Sequence, residues 1–173
     1  MRYRFDEFVG DLEHLRSALL DTSACVYFLN EIAPWATLVR VLLDRADRGL
    51  LGIVIPSVVH MELLAKAWDV DDELERRKVG FFVSGTHFIR EVAFDERAMR
   101  TSAEVRSKLR LKLLDSIIVG SACTEGVDAI IGNDSKFRRL RGQMPTLTTL
   151  DAPGNVPHYI HLDEYIDQDG SQD

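Results

Sequence analysis

The stretch Leu19-Leu20-Asp21-Thr22-Ser23 most constrains what this chain can fold into. An apolar run stops at a carboxylate and two hydroxyls, and a helical pattern starts immediately after it. A buried strand of a parallel sheet that delivers an acid to the sheet edge has this signature. In open α/β sheets ligands bind where the strands end, so Asp21 is placed to do chemistry. The same pattern also suits Asp21 as a helix N-cap, which requires no function. Whether further acids reach the same edge separates the two readings.

Other short apolar runs follow at intervals. Gly52-Ile53-Val54-Ile55, His87 to Val92 and Ala129-Ile130-Ile131-Gly132 read as strands, each alternating with helical periodicity. Pro145 to Leu150 is expected as a fifth strand and Tyr159 to Leu162 as an edge strand. The alternation predicts an α/β fold, a three-layer α/β/α sandwich around a central parallel sheet of four or five strands.

The intervening helices are read from their apolar faces. Cys25 to Asn30 forms a short helix, and Pro34 fits the first turn of the next, whose face is Leu38, Val39, Leu42 and Leu43. Ser57 is placed as the N-cap of a helix with Val58, Val59, Met61, Leu64 and Ala65 inward. A charged helix from Asp71 to about Phe82 is closed by Gly85. Asp95 opens another, with Met99, Ala103 and Val105 as packing residues. The pattern from Leu111 to Gly126 runs through Leu114, Ile117, Ile118, Ala122 and Cys123, with Asp115 inside this apolar company.

Residues 1–16 carry Phe5, Phe8, Val9, Leu12 and Leu15 at helical spacing and read as an N-terminal amphipathic extension, docked on this domain or on a partner. Residues 17–165 make the main domain, and 166–173 read as a frayed polar tail. With 173 residues and 46% hydrophobic content, the chain fits one domain with its own core. No run approaches the roughly 18 apolar residues of a membrane span. Acids at Asp6 and Glu7 interrupt the place of a signal-peptide core, so a cytoplasmic protein is expected. Cys25 and Cys123 fit no metal spacing or disulfide framework and read as small core residues.

The net charge of −7 disfavours a protein that coats nucleic acid through bulk charge. It does not disfavour a nuclease built on acids, where a bound cation reverses the local field. Basic residues concentrate at Arg97, Arg100, Arg106, Lys108, Arg110 and Lys112, and again at Lys136, Arg138, Arg139 and Arg141 around Phe137. They read either as a solvated face or as the surface that steers RNA.

Four acids belong together. Asp21 and Asp134 each close an expected strand, and Glu62 stands early in the helix after the second strand, over the same edge. Asp115 lies near the start of its helix among aliphatics that face the core. An unpaired buried acid costs several kcal/mol, so such groups usually have a partner or a metal. Each has a plain alternative: a cap for Asp21, a surface position for Glu62, an ion pair for Asp115, a turn for Asp134. Converging, the four would repel unless cations intervened, and oxygen-only ligands favour Mg2+ or Mn2+ over zinc. Two such ions, roughly 3.5–4 Å apart, clamp the attacking and leaving oxygens of a phosphodiester.

Leu20-Asp21-Thr22-Ser23, Pro56-Ser57 through Glu62-Leu63, Leu114-Asp115-Ser116-Ile117-Ile118, and Ile131-Gly132-Asn133-Asp134 with Phe137 together resemble a PIN domain. Within that superfamily the chain is most similar to the VapC-type toxins of toxin–antitoxin pairs, from about Leu19 to Leu150. The resemblance implies a Mg2+- or Mn2+-dependent endoribonuclease with Asp21, Glu62, Asp115 and Asp134 as its acidic quartet. Asp21, Asp115 and Asp134 would hold the metal, and Glu62 would be a ligand or orient the attacking water. Thr22, Ser23 and Asn133 would hydrogen-bond near the metal or phosphate, with Lys136 as a substrate contact. It further implies a homodimer and an inhibitory antitoxin that wraps the active-site groove. Two departures stand out. Some fifteen residues precede the first strand, and Lys136 occupies a position where some relatives carry a further acid, which bears on whether the site holds one metal or two.

Rival chemistries lack residues. His14, His60, His87, His158 and His161 are scattered, and Ser23 stands where an aspartyl phosphatase needs a second acid. There is no Gly-rich phosphate loop or nucleophile elbow. The remaining alternative is a PIN-like module that binds RNA or protein without cutting.

Overall fold

Apolar runs as short as Ala129–Gly132 satisfy their backbone groups only by lateral pairing. In a computed structural model, which describes residues 2–140, 146–147 and 154–167, five such runs pair in one sheet. The chain runs β1 (Arg2–Tyr3), α1 (Phe5–Glu13), β2 (Ser17–Leu20), α2 (Thr22–Leu29), α3 (Trp35–Asp47), β3 (Gly52–Pro56), α4 (Ser57–Asp69), α5 (Glu73–Ser84) and β4 (Ile89–Val92). It continues through α6 (Glu96–Leu109), α7 (Leu113–Glu125), β5 (Ala129–Gly132) and a 3-10 turn (Ser135–Leu140). After β6 (Thr146–Leu147), β7 (Gly154–Asn155) and β8 (His158–His161) come a second 3-10 turn (Leu162–Tyr165) and β9 (Ile166–Asp167).

The main sheet has the order β4-β3-β2-β5-β8, and every pair is parallel. Helices pack around it, as the alternation predicts. Strand order turns back between β2 and β5: the chain steps outward one way to β3 and β4, then returns to the other side for β5 and β8. Such a reversal splays the connections apart and opens a crevice beyond the strand ends. Asp21 follows β2 directly, and Asn133 and Asp134 follow β5, so both flank that crevice.

The fifth strand of this sheet is β8, the segment expected as an edge strand, paired with β5 in the register Gly132↔His161. Of the expected strand 145–150, residues 146–147 instead pair antiparallel with β7 as a separate ribbon, and the others lie outside the described residues.

The first helix is built into the core. Phe8 and Leu12 are fully buried, and the Phe8 ring packs 4.8 Å from that of Tyr165. Just before it, β1 pairs antiparallel with β9, and the Arg4 N–H donates to the Tyr165 carbonyl at 2.9 Å. Ile166 and Asp167, assigned to a frayed tail by sequence, are therefore strand, while 168–173 lie outside the described residues.

Two helices turn differently from expectation. α4 carries two apolar stripes, and Val58, Val59, Leu63 and Ala67 are the ones buried, leaving Met61 59% exposed. Its rotation follows from the direct join of β3 to α4 at Pro56–Ser57, so Ser57 is the first helical residue rather than the cap. The Ser57 hydroxyl instead accepts from the Phe94 N–H at 3.2 Å. In α6 the inward face is Ala98, Thr101, Ser102 and Val105, and Met99 is half exposed. This face is small rather than apolar because α6 meets α7 at Gly120, where a Cβ would stand 2.1 Å from Ser102 Oγ and 2.6 Å from its Cα.

Candidate active site

Three of the four acids stand at helix starts, where backbone N–H groups and the helix dipole favour negative charge. Asp21 is the N-cap of α2: its Oδ1 accepts from Ser23 N at 2.8 Å, Ser23 Oγ at 2.5 Å and Ala24 N at 3.2 Å. Asp115 is the third residue of α7. Asp134 precedes the first 3-10 turn, and its Oδ1 accepts from Lys136 N at 2.9 Å. Glu62 comes from α4 and accepts the Thr22 hydroxyl proton. The cap reading of Asp21 is thus correct as far as it goes, and the same carboxylate also reaches the site.

All four acids line one cleft of about 450 Å3, together with Thr22, Ser23, Lys66, Lys112 and Lys136. A larger groove of about 1100 Å3, lined by Phe28, Leu43, Phe81, Phe82 and Phe88, lies elsewhere and holds none of the four. Size is therefore no guide to the chemistry here; the convergence of acids is.

Asp21 is buried, 3% exposed, and burial raises its carboxyl above the ordinary value against the pull of its hydrogen bonds. Its second oxygen accepts from the Tyr159 hydroxyl, whose oxygen in turn accepts from Asp134 N at 3.1 Å. Tyr159 itself is held far above the usual phenol range, first by burial and then by the Asp21 charge, so it remains a donor. Its ring stacks on Phe137 at 4.6 Å. Gly132 completes this corner. A Cβ there would meet Asp21 Oδ2 at 2.0 Å and Cγ at 2.1 Å, so the carboxylate occupies the space a side chain would fill.

The remaining sequence-derived candidates separate by role. Ser23 orients Asp21 and also accepts from Asn133 N at 2.8 Å. Asn133 does not line the cleft and its side chain is spent elsewhere. Its Nδ2 donates to Asp163 Oδ1 at 2.8 Å and Tyr27 Oη at 3.2 Å, and its Oδ1 accepts from Asp163 N at 3.3 Å. The same Asp163 oxygen accepts from Trp35 Nε1 at 2.7 Å, so Asn133 is a bracket beneath the site. In α6, Arg100 pairs with Glu96 and Lys108 with Glu104, which balances charge along the helix instead of presenting it to the cleft. Lys112 of that basic run does line the cleft; the side chains of Arg138, Arg139 and Arg141 lie outside the described residues.

Tyr159, Gly132 and Lys66 were missed by sequence. An isolated glycine ending a strand signals close backbone approach, so Gly132 had a readable cue. Tyr159 had none, because it reaches the site only through the long-range pairing of β8 with β5.

Among the described residues, no three Asp, Glu, His or Cys side chains form a ready metal-ligating group as they are placed. Lys136 Nζ stands between two of the acids, 3.1 Å from Asp134 Oδ2 and 3.8 Å from Asp115 Oδ2. The donor set nevertheless fits a hard divalent cation: it is carboxylate throughout, and Asp115 Oδ2 is a buried oxygen with no hydrogen-bond donor.

Comparison with known proteins adds the following. A family model described as PIN domain matches residues 18–143. No curated protein matches the chain in sequence. Among solved structures, VapBC2 from Rickettsia felis, bound to a DNA fragment from its promoter, shares 23% identity at a TM-score of 0.60, over 72% of this chain and 93% of that one. A toxin–antitoxin complex from Klebsiella pneumoniae shares 16% identity at a TM-score of 0.57, over 72% and 93%. VapC20 from Mycobacterium tuberculosis, a sarcin-ricin loop cleaving toxin, shares 14% at a TM-score of 0.57, over 72% and 95%. At these identities the likeness is one of fold.

Proposed function

The chain belongs to the PIN domain family, and on that premise we propose that it is a divalent-metal-dependent endoribonuclease, the toxin of a toxin–antitoxin pair acting in the cytoplasm. The observation that carries this reading is the convergence of Asp21, Glu62, Asp115 and Asp134, from four separate elements, on one cleft with a buried carboxylate oxygen left without a donor. Four acids gathered at a switch point destabilise an empty fold by mutual repulsion, which a bound cation relieves.

Asp21, Asp115 and Asp134 hold the ion, Mg2+ or Mn2+. When bound, it supplies a Lewis acid and a water of lowered pKa. Glu62, fixed by the Thr22 hydroxyl, orients the attacking water. Ser23 and Tyr159 keep the Asp21 carboxylate in place, and Tyr159 also steadies the Asp134 backbone. Lys66 and Lys112 contact RNA phosphates at the cleft, so an acidic protein binds a polyanion through local rather than net charge. The toxin–antitoxin assemblies among the structural neighbours support a cognate antitoxin as partner; on the same proposal the chain works as a homodimer. Among the described residues no helix is long and apolar enough to cross a membrane.

The test is cleavage of a mixed pool of structured RNAs with added Mg2+ or Mn2+, against EDTA and an Asp115→Asn control. Metal-dependent cuts absent from the variant are expected. A folded protein that neither cuts RNA nor binds Mn2+ would overturn the reading in favour of a non-catalytic binding module.

A further inference from the structure

Lys136 departs from the acidic chemistry around it, and its placement is specific. Its backbone N–H donates to Asp134 Oδ1 at 2.9 Å and its ammonium to Asp134 Oδ2 at 3.1 Å, so one residue engages both oxygens of that carboxylate. The ammonium also stands 3.8 Å from Asp115 Oδ2, the buried oxygen that lacks a hydrogen-bond donor. The ammonium thus lies among the carboxylates as a positive charge held by two of them. A lysine ammonium is a compact point charge on a flexible stem, the nearest thing a side chain offers to a bound cation. Two metal ions serving one phosphodiester lie roughly 3.5–4 Å apart and share carboxylates between them. An ammonium already within ion-pair reach of both Asp115 and Asp134 takes the space of one of them.

We propose that Lys136 is a built-in counter-cation that fills the gap between Asp115 and Asp134 in place of a metal ion and restricts the cleft to one bound divalent ion. The proposal rests on the metal-dependent reading above and deepens it. Lys136 acts here as a positioning residue: it holds Asp134 on both oxygens and neutralises part of the acidic cluster before any metal arrives. With its side chain 47% exposed, its removal leaves the core intact.

The experiment counts Mn2+ on the full chain, stripped with EDTA and titrated by calorimetry with equilibrium dialysis as a check. It compares wild type, Lys136→Met and Lys136→Glu. One ion per wild-type chain is expected, at least tenfold tighter binding in Lys136→Met, and a second ion in Lys136→Glu. Melting gives an independent readout: without metal, Lys136→Met should melt below wild type because two carboxylates lose their counter-charge, while its gain on adding Mn2+ should be larger. Two ions on the wild-type chain would overturn the proposal and leave the metal-dependent reading standing. So would unchanged or weaker binding in Lys136→Met. If neither wild type nor Lys136→Met binds Mn2+, the metal reading itself fails and the proposal falls with it.

Discussion

Replacing Gly132 with alanine puts a methyl group where the Asp21 carboxylate now lies. The added Cβ would be 2.0 Å from Oδ2, and an ordinary van der Waals contact begins at 3.4 Å, so the carboxylate must retreat by about 1.4 Å. Backbone movement offers little relief, because β2 and β5 are paired here and Asp21 N donates to the Ile131 carbonyl at 3.0 Å. The retreat breaks the Tyr159 contact and the 2.5 Å bond from Ser23 Oγ. Hydrogen bonds to a charged group contribute about 1.5–3 kcal/mol each, so losing two costs about 3–6 kcal/mol. Urea unfolding of wild type, Gly132→Ala, Asp21→Ala and the double variant measures this directly. The three nearest atoms to the new Cβ all belong to the Asp21 carboxylate, so in the Asp21→Ala background the Gly132→Ala cost should fall below about 1 kcal/mol. An equal cost in both backgrounds would refute the reasoning, as would a cost under about 1 kcal/mol in wild type.

Two further outcomes follow from side chains below the cleft. Asp128 accepts from Arg16 N at 2.8 Å and Ser17 N at 3.0 Å, and although partial burial alone would raise its carboxyl, these bonds hold it below the ordinary value. A depressed carboxylate stabilises fully above its unfolded pKa of about 3.9 and loses that contribution as pH falls through the folded value. Asp128→Ala should therefore cost about 2 kcal/mol at neutral pH, with the gap to wild type closing below about pH 4 in acid-series urea melts. A gap that persists unchanged would count against the assignment. Asp163→Ala should cost about 1–2 kcal/mol, since Trp35 Nε1 and Asn133 Nδ2 both lose their acceptor. Trp68 is already 63% exposed, so a red shift of the emission would report Trp35, and an unaltered spectrum would argue that the bracket is dispensable.

What the sequence disclosed depended on the range of the interaction. Asp21 follows an apolar run directly, Asp134 follows one after Asn133, and Asp115 interrupts one, so local pattern alone located all three. The strands β2, β3, β4 and β5 were readable for the same reason. Facing directions were less so: α4 offers Met61 and Leu64 on one stripe and Leu63 and Ala67 on another, and only the join to β3 selects between them. The α6 face was hidden because Thr101 and Ser102 are buried for their small size against Gly120, which apolar counting overlooks. The family resemblance puts Asn133 near the metal or phosphate, whereas Asp163, thirty residues on, claims its amide. Tyr159 depended on a pairing between strands that no local signal announces.

The shared phenol of Tyr159 also gives the site an order of assembly. Asp21 is synthesised early and Tyr159 late, and chains emerge and fold from the N-terminal side. Until β8 docks against β5, the nascent chain holds a carboxylate destined for burial with one oxygen unanswered, which opposes closing that corner of the fold. A growing or truncated chain thus carries every acid of the cleft before Tyr159 can answer the second oxygen of Asp21, a contact that only the β8 strand supplies.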